Sequence, residues 1–239
     1  MVFAVIAAGG RGSRFKKPGG KQFFLLKGKP VLVYTLEKFL SCNRVDFVLP
    51  VIGQENFSIF NEARKAIDAP LARLLPPVQA GEERFESVLN GLKRLQHDFK
   101  NEFEDSIILI HDGARPFVST NLIERVIDGT KEYGACVPAV KVADTVKRVD
   151  SCGKVLETLK RSELVLVQTP QGFLGRIIMK AYEEIAKPLA KELTDDASFV
   201  ELTGYEVRVI DGERLNIKIT YPEDEFIATA LLKREANHK

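Results

Sequence analysis

The chain opens with a short apolar run that breaks abruptly into glycines, and this pairing constrains the fold more than any other feature. Residues 2–6, VFAVI, are long enough for one strand and rich in β-branched and aromatic side chains. Such an uninterrupted apolar run is typical of a strand buried on both faces of a parallel sheet. Gly9, Gly10 and Gly12 follow, and glycines let the backbone turn sharply and approach a ligand. Because the N–H groups of such a turn can converge on an anion, we predict an anion-binding turn after the first strand.

Cationic side chains cluster around this turn, and no carboxylate lies among them: Arg11, Arg14, Lys16, Lys17 and Lys21. A polyphosphate needs such cations beside backbone N–H groups, because its charge must be neutralised and its oxygens fixed. A solvated basic loop is the alternative interpretation. Two common phosphate-binding motifs do not match the sequence. Phe15 stands where the G-x-G-x-x-G motif has its third glycine, and Gln22 follows Gly20-Lys21 where a P-loop has Ser or Thr.

Strand-like and helix-like segments alternate along the following hundred residues. We predict helices at 32–40, 56–67, 82–99 and 121–133, strands at 47–52 and 106–110, and a short extended segment at 71–78. Strands separated by helices of this length indicate parallel crossover units. The predicted fold class is therefore α/β, a mostly parallel twisted sheet flanked by helices. Such sheets bind ligands at the carboxyl ends of their strands, where both the Gly9 turn and a His111-Asp112 turn would lie.

The composition limits the classes of function. The chain has 239 residues, 45% of them hydrophobic, and a formal net charge of +2, which gives no general attraction to nucleic acid. We expect a single domain over residues 1–239. Its three cysteines have neither a metal-site nor a disulfide-framework spacing, which fits a reducing compartment. With no signal peptide and no apolar run of membrane-spanning length visible, we expect a cytoplasmic protein without a membrane partner.

Residues 141–166 break the alternation of strands and helices. Two short runs rich in valine and leucine flank a polar turn at 150–153, DSCG, and no helix is inserted between them. This pattern predicts a β-hairpin that projects from the sheet as an arm. Exposed β-arms with apolar positions usually pack against a partner.

A helix start at residues 81–87 combines acidic residues with an arginine and a serine. Glu82 and Glu83 are explained by the helix dipole alone. Arg84 and Ser87 lie in the same turn, and a helix N-terminus can bind an anion or a base edge. The sequence therefore predicts a helix N-terminus here, with these two side chains as candidates for a ligand contact.

The segment 111–116, HDGARP, follows the predicted strand 106–110. Asp112 at a strand's carboxyl end could hold Mg²⁺, which commonly takes one or two carboxylates together with substrate phosphates. Arg115, three residues later, could bind a phosphate. A loop salt bridge between Asp112 and Arg115 is the alternative, and we expect His111 to pack or hydrogen-bond locally rather than titrate.

Three further segments have ordinary structural explanations when they are considered alone. Asp144, Thr145 and Lys147 on the arm are plain polar strand residues. The segment 194–198, TDDAS, fits a helix N-cap with acidic first-turn residues. Lys218 in the segment 216–220, NIKIT, fits the solvent-facing position of a strand.

The motifs together resemble a known family. The segment 7–14, AAGGRGSR, followed by Lys21-Gln22, is similar to the signature of sugar-phosphate nucleotidyltransferases. The later motifs at residues 81–87, 111–116, 144–147, 168–171, 194–198 and 216–218 narrow the resemblance to the 2-C-methyl-D-erythritol 4-phosphate cytidylyltransferases of the non-mevalonate isoprenoid pathway. It extends from Val2 to about Leu232, nearly the whole chain.

This resemblance implies a Rossmann-like nucleotidyltransferase fold, CTP and methylerythritol phosphate as substrates, and a role for each matching residue. Those implied to be catalytic are Arg14, Lys21 and Lys218. Those implied to bind CTP are Ala7, Ala8, Gly9, Gly10, Gly12, Gly81, Arg84, Ser87 and Ala114. Those implied to bind the methylerythritol phosphate are Arg115, Thr145, Arg161, Thr169 and Thr194. Asp112 is implied to hold Mg²⁺, and the arm is implied to form a two-fold homodimer in which it reaches the partner's active site.

One departure from the family pattern concerns the loop before Lys21. The family commonly has Pro-Lys-Gln, whereas this chain has Gly20-Lys21-Gln22, with the proline displaced to Pro18. Glycine in place of proline should leave the loop less preorganised.

Two other functions stay open from the sequence. One is a pentitol-phosphate cytidylyltransferase that acts on ribitol 5-phosphate and shares the first half of the signature. The other, from a different class, is a non-catalytic regulatory protein that only binds nucleotides; the presence of Lys21, Asp112 and Lys218 disfavours it.

Overall fold

A computed structural model of the chain describes residues 1–10 and 20–236. Within these residues the strands are β1 (Val2–Ala8), β2 (Leu25–Leu26), β3 (Lys29–Pro30), β4 (Phe47–Ile52), β5 (Val78–Gln79), β6 (Ile107–Asp112), β7 (Ala135–Lys141), β8 (Lys147–Val149), β9 (Val155–Thr158), β10 (Val165–Val167), β11 (Gln171–Leu174) and β12 (Arg208–Asp211). The α-helices are α1 (Val31–Ser41), α2 (Phe57–Ala63), α3 (Arg84–Asp98), α4 (Thr120–Tyr133), α5 (Gly175–Glu184), α6 (Lys187–Ala190), α7 (Asp196–Leu202) and α8 (Asp224–Ala236). Single 3₁₀ turns occupy Gln54–Asn56, Arg64–Ala66, Leu71–Arg73 and Arg161–Glu163.

The main sheet of the described residues contains eight strands in the order β10-β7-β11-β6-β1-β4-β5, with β12 also paired to β7. Strand β1 pairs in parallel with β4 and with β6, and β5 continues the parallel half beyond β4. Strand β11 is inserted antiparallel between β6 and β7. The α/β fold with a mostly parallel sheet is therefore confirmed, and the antiparallel insertion is an addition that the sequence pattern did not predict.

Helices cover both faces of this sheet. Along β1, the side chains of Phe3 and Val5 enter one apolar cluster, in which α3, α5 and α7 pack. Those of Ala4 and Ile6 enter the other, against α1, α2 and α4. This alternation is that of a strand buried on both faces, as its continuous apolar sequence predicts. The same alternation applies to β6, so its last two side chains, His111 and Asp112, point to opposite faces of the sheet.

A third, smaller apolar cluster joins the last helix to the start of the chain. Leu232 and Ala228 of α8 pack with Leu26 and Val31. Helix α8 leaves Phe226 79% exposed, so only part of its surface is buried by this contact. None of the helices in the described residues is long and apolar enough to cross a lipid bilayer.

Several predicted bounds need correction. The region 56–67 is one short helix between two 3₁₀ turns, and residues 71–73 form a 3₁₀ turn rather than extended chain. Helix α3 starts at Arg84, because Glu83 is its N-cap, and not at residue 82. Strand β6 continues to Asp112, so His111 and Asp112 end a strand instead of forming a turn. Lys218 lies in chain without regular secondary structure, and not in a strand.

The predicted hairpin is present in the middle of the arm region. Strands β8 and β9 pair antiparallel around a turn in which Asp150 accepts hydrogen bonds from the N–H groups of Cys152 and Lys154. The two ends of the region belong to the main sheet, since Val165 pairs with Lys141. The hairpin thus projects from the sheet where β7 ends and β10 begins, and its side chains are largely exposed.

Candidate active site

The carboxyl ends of the adjacent strands β1 and β6 meet at one edge of the sheet and form the floor of a pocket. The lining residues come from five separate stretches of sequence: Ala7, Ala8, Gly9, Gly10, Lys21, Gln22, Gly81, Glu82, Glu83, Arg84, Ser87, Asp112, Ala114 and Lys218. Most of the residues that the resemblance assigns to CTP are in this set. The fold therefore brings together residues that are more than two hundred positions apart in the chain.

Residues 8–10, which we call the bend after β1, fit closely against the segment that leads into α3. A Cβ atom added at Gly9 would lie 2.2 Å from the Cβ atom of Ala80 and 3.3 Å from the Ser87 hydroxyl oxygen. Glycine is therefore required at this position for steric reasons, whatever the conformation of the bend. Arg14 and Gly12, which the resemblance assigns to catalysis and CTP binding, lie outside the described residues.

The start of α3 is fixed by its own side chains. Glu83 and Glu86 form a capping box, with the Glu86 carboxylate accepting from the N–H groups of Glu82 and Glu83. The Ser87 hydroxyl accepts from the N–H of Gly81 and donates to the carbonyl of Glu83. This local network holds the backbone of residues 81–83 as one wall of the pocket.

Arg84 leaves the same helix start and binds two carboxylates. Its guanidinium makes a two-pronged contact with Asp196, at 2.9 and 2.7 Å, and its Nε lies 3.4 Å from Asp112. Burial disfavours the charged form, but Asp196 and then Asp112 outweigh it and raise the pKa of Arg84. The guanidinium is therefore held as a fixed cation between two carboxylates.

Asp112 is the electrostatic centre of the site. Its carboxylate lies 2.7 Å from the Lys218 ammonium and 3.5 Å from the Arg115 guanidinium, in addition to Arg84. Burial would raise the pKa of this carboxyl, but Arg84, Lys218 and Arg115 together hold it well below its usual range. Asp112 is therefore ionised at neutral pH. The Asp112–Arg115 salt bridge expected as the structural alternative is present, at the long end of the distance range.

His111 points to the opposite face of the strand and is fully buried. Its Nε2 donates to the carbonyl oxygen of Arg115 at 3.1 Å, so its Nδ1 is the acceptor for the Thr169 hydroxyl at 3.0 Å. Burial lowers the pKa of His111 to about 3, which leaves the ring neutral. This confirms that the side chain packs and hydrogen-bonds locally.

A second pocket adjoins the first and shares Arg84, Asp112 and Lys218 with it. Its other lining residues are Arg115, Val167, Gln168, Thr169, Gln171, Thr194 and Asp195. Three of the residues assigned to the methylerythritol phosphate, Arg115, Thr169 and Thr194, are among them. The two pockets thus meet at a shared carboxylate and two shared cations.

Backbone contacts position the cations of the second pocket. Arg115 donates from Nη1 to the carbonyl of Asn216 at 2.9 Å, and burial lowers the pKa of this guanidinium. Asn216 in turn donates from its side chain to the carbonyl of Thr169 at 2.8 Å. These contacts tie the irregular segment that carries Lys218 to the loop before β11.

The arm residues lie apart from both pockets. Thr145 is exposed, and Arg161 donates to the carbonyl of Ala143 on the same arm. Neither side chain lines either of the two pockets of its own chain, as far as the described residues go. The structure of one chain therefore does not bring Thr145 and Arg161 together with the other predicted site residues.

Sequence reasoning missed several side chains that hold the site together. Asp196 is fully buried and accepts from the Tyr182 hydroxyl at 2.7 Å as well as from Arg84. Gln171 accepts from the N–H groups of Asp196 and Ala197 and donates to Asp195, which caps α7 through Ser198. The sequence signal for α7 was correctly interpreted as an N-cap. Only the fold, however, reveals that the residue after the cap is the partner of Arg84.

Comparisons with known proteins point to one family. Residues 2–234 match the family model described as 2-C-methyl-D-erythritol 4-phosphate cytidylyltransferase. A relative of that name from Syntrophus aciditrophicus is 42% identical over 98% of this chain and 97% of its own length, and one from Clostridium beijerinckii is 39% identical over 98% and 99%.

Solved structures resemble the chain over the same extent. The crystal structure of 4-diphosphocytidyl-2C-methyl-D-erythritol synthase from Anaerococcus prevotii superposes with a TM-score of 0.80 at 32% identity, covering 98% of this chain and 96% of that one. The Thermus thermophilus 2-C-methyl-D-erythritol 4-phosphate cytidylyltransferase superposes with a TM-score of 0.72 at 29% identity, over 96% and 98%. With a family model that spans nearly the whole sequence and relatives near 40% identity, the chain belongs to the 2-C-methyl-D-erythritol 4-phosphate cytidylyltransferase family.

Proposed function

We propose that this protein transfers the cytidylyl group of CTP to 2-C-methyl-D-erythritol 4-phosphate, forming 4-diphosphocytidyl-2-C-methyl-D-erythritol and pyrophosphate. The observation that carries the proposal is the pair of adjoining pockets that share Arg84, Asp112 and Lys218. A transferase that joins two phosphorylated substrates needs two such pockets with cations at their junction. The family's name supports the identity of both substrates.

The two pockets would divide the substrates between them. CTP would occupy the pocket floored by the bend after β1, with its base near Gly81 and Ser87 and its triphosphate near Lys21. The methylerythritol phosphate would occupy the neighbouring pocket, with its phosphate near Arg115. The attacking phosphate oxygen and the α-phosphorus of CTP would then meet beside Lys218.

The reaction needs no general base, because the attacking phosphate is already an anion at neutral pH. One of its oxygens attacks the α-phosphorus of CTP in line, the new P–O bond forms, and the bond to pyrophosphate breaks. The obstacle is the repulsion between two polyanions and the charge on the equatorial oxygens of the transition state. The fixed cations of the site oppose both, and the neutral, buried His111 has no proton-transfer role in this scheme.

Lys218 and Lys21 would carry most of the transition-state stabilisation. Lys218 lies at the junction of the pockets, 2.7 Å from Asp112, and is 36% exposed, so it can exchange that carboxylate for a phosphate oxygen. Lys21 lines the nucleotide pocket only. Arg14, outside the described residues, is part of the same proposal.

Asp112 would hold Mg²⁺. The described residues offer no cluster of three or more His, Cys, Asp or Glu side chains that could bind a metal by themselves. A single ionised carboxylate at the junction of the two pockets nevertheless fits an ion that completes its coordination with phosphate oxygens and water. Bound there, Mg²⁺ would supply positive charge against the triphosphate, while the surrounding cations keep the Asp112 oxygens ionised.

The direct test is to incubate the protein with CTP, Mg²⁺ and one polyol phosphate at a time, with mass detection of the cytidine diphosphate product. We expect product with 2-C-methyl-D-erythritol 4-phosphate and little with ribitol 5-phosphate. Preference for ribitol 5-phosphate would replace the substrate assignment. CTP binding without any product would support the non-catalytic alternative, which the family match does not favour.

We include in the proposal a homodimer formed through the arm. Its support is an exposed apolar surface on the hairpin and the adjoining strand β10: Val149, Val155, Leu156, Val165, Leu166 and Val167, each between 39% and 57% exposed. The distance of Thr145 and Arg161 from the pockets of their own chain is explained if they serve the partner's site.

Mixed dimers test this arrangement of shared sites. Lys21→Ala and Arg161→Ala proteins should each be nearly inactive, because every site lacks one group. Subunits reassembled from an equal mixture should recover about a quarter of wild-type activity, since half the dimers are mixed and each of those has one intact site. No recovery after demonstrated subunit exchange would contradict a shared site.

The proposal also places the protein in the cytoplasm. Cys42, Cys136 and Cys152 are all free thiols in the structure, as in a reducing compartment. Fractionation of the native cells, followed by immunodetection, tests this location.

A further inference from the structure

Gln22 lies beneath the bend after β1 and is 3% exposed. Its side-chain Nε2 donates to the carbonyl oxygen of Ala8 at 2.9 Å and to that of Gly10 at 3.0 Å. These two carbonyls flank Gly9, so a single amide group engages both sides of the bend. A primary amide has two N–H donors, and both find acceptors here.

This contact determines how the bend presents its backbone. In a trans peptide the N–H points opposite to the carbonyl. Because the carbonyl of Ala8 is directed at Gln22, the N–H of Gly9 is directed away from it. Gln22 thus selects one orientation of this peptide bond, and the orientation of such N–H groups decides whether a bend can bind an anion.

Gln22 is itself anchored on both sides. Its backbone carbonyl oxygen accepts from the N–H of Leu32 in the first turn of α1, at 2.8 Å. Gly20 has a left-handed φ of +76°, which proline cannot adopt, and a Cβ atom there would lie 2.9 Å from the Gln22 side-chain oxygen. A side chain at position 20 would therefore displace the amide of Gln22, whereas glycine leaves room for it.

We propose that Gln22 is a positioning residue for the nucleotide: it links the bend after β1 to the helix α1, so that the bend and Lys21 face CTP together. Lys21 immediately precedes Gln22 and lines the same pocket as Gly9 and Gly10. The side chain would act through the backbone of the bend and not on the reacting atoms. This inference rests on the proposed function, because it takes CTP as the ligand of this pocket.

The test is Gln22→Met, which keeps the side-chain length and removes both donors. Calorimetric titration with CTP and Mg²⁺, without the second substrate, should show binding weakened about tenfold or more, since two hydrogen bonds that fix the bend are lost. The KM for the methylerythritol phosphate at saturating CTP should stay within about twofold, because Gln22 does not line the second pocket. Gly20→Ala should weaken CTP binding in the same direction, by displacing the amide.

Thr130→Val is the matched control. Its buried hydroxyl donates to the carbonyl of Val126 at 2.7 Å on α4 and lines neither pocket. It should cost a similar amount of stability without changing CTP affinity. Should Gln22→Met fail to fold, Gln22→Asn keeps the amide but is one methylene shorter, and intermediate CTP affinity is the expected result.

The outcomes separate this inference from the proposed function. Unchanged CTP affinity in folded Gln22→Met would overturn the inference, even if the wild type is fully active. Equally weaker binding of both substrates would also overturn it, because that result indicates a general loss of structure. Conversely, a wild type that binds CTP but makes no product would refute the proposed reaction, whereas weaker CTP binding by Gln22→Met would still uphold the role of Gln22.

Discussion

Replacing Asp196 with asparagine should destabilise the protein more than any surface substitution. The carboxylate of Asp196 is fully buried and accepts two hydrogen bonds from Arg84 and one from Tyr182. Asparagine keeps the shape and one acceptor oxygen for Tyr182. It removes the negative charge, and its NH₂ group would face the guanidinium of Arg84, so that two hydrogen-bond donors would meet without an acceptor.

The size of the effect follows from what remains unpaired. Removing one partner of a buried ion pair typically costs about 3–5 kcal/mol, because the other charge is left in a poorly solvated place. The Arg84 side chain is 34% exposed and keeps Asp112 at 3.4 Å, so water and a second carboxylate reduce the penalty. We therefore expect about 3 kcal/mol, out of a total stability on the order of 5–15 kcal/mol.

Urea unfolding followed by circular dichroism measures this loss. With an m-value of about 3 kcal/mol/M, the midpoint should fall by about 1 M urea. Arg84→Met should cost much less free energy of unfolding in the Asp196→Asn background than in the wild type. In that background the Arg84 charge has already lost Asp196 as its partner, so removing the charge loses less. Asp128→Asn is the control: Asp128 also makes a two-pronged contact, with Arg44, but is 65% exposed, and its loss should cost under about 1 kcal/mol.

Equal midpoint shifts for Asp196→Asn and Asp128→Asn, with unchanged m-values, would refute the reasoning. So would an Arg84→Met cost that is the same in both backgrounds. Either result would mean that burial does not set the strength of this pair.

Three further predictions concern the site. Lys21→Ala should lose turnover by orders of magnitude with an unchanged circular dichroism spectrum; wild-type turnover would refute its assigned role. His111→Gln should make the free energy of unfolding less dependent on pH. Below pH 6.5 the imidazole of the unfolded wild type takes up a proton, whereas the buried ring of the folded protein stays neutral down to about pH 3. As the pH falls through this range, the wild type should therefore lose about 1.4 kcal/mol of stability per pH unit more than the variant, measured in EDTA and above the titration range of Asp112. Equal slopes would show that the ring is not held neutral. Gly9→Ala should reduce both stability and CTP affinity, because its methyl group would lie 2.2 Å from that of Ala80; unchanged CTP titrations would contradict this close fit.

Local sequence signals predicted several of the strands and helices that build the main sheet and its two faces. The continuous apolar run of β1 and the strand 47–52 appear as predicted, because a strand buried on both faces needs no partner-specific signal to be recognised. The helices predicted at 32–40 and 121–133 are confirmed with small shifts at their ends. At the start of α3 the acidic residues were predicted from the helix dipole, whereas in the structure Glu83 and Glu86 act through the hydrogen bonds of a capping box and Glu82 precedes the helix.

Long-range pairing could not be predicted in the same way. Strand β11 has only four residues, and nothing in their sequence specifies that they insert antiparallel between β6 and β7. Asp196 was identified as part of a helix start, but its pairing with Arg84, 112 positions away, depends on the packing of α3 and α7 against one face of the sheet. The positions of Lys218 and Arg115 likewise depend on contacts with Asn216 that have no local signature.

The register of the last two residues of β6 limits which insertions and deletions this sequence can accept. His111 is fully buried and Asp112 faces the pockets, on opposite sides of one strand whose neighbours β1 and β11 fix its register. Deleting a single residue upstream within β6 would exchange the two directions, so that a carboxylate would enter the apolar core without its cations and an imidazole would face the pockets. Insertions and deletions should therefore be tolerated in the surface loops but not in this strand. Natural variants should preserve the number of residues between Ile107 and Asp112 even where the residue types between them change.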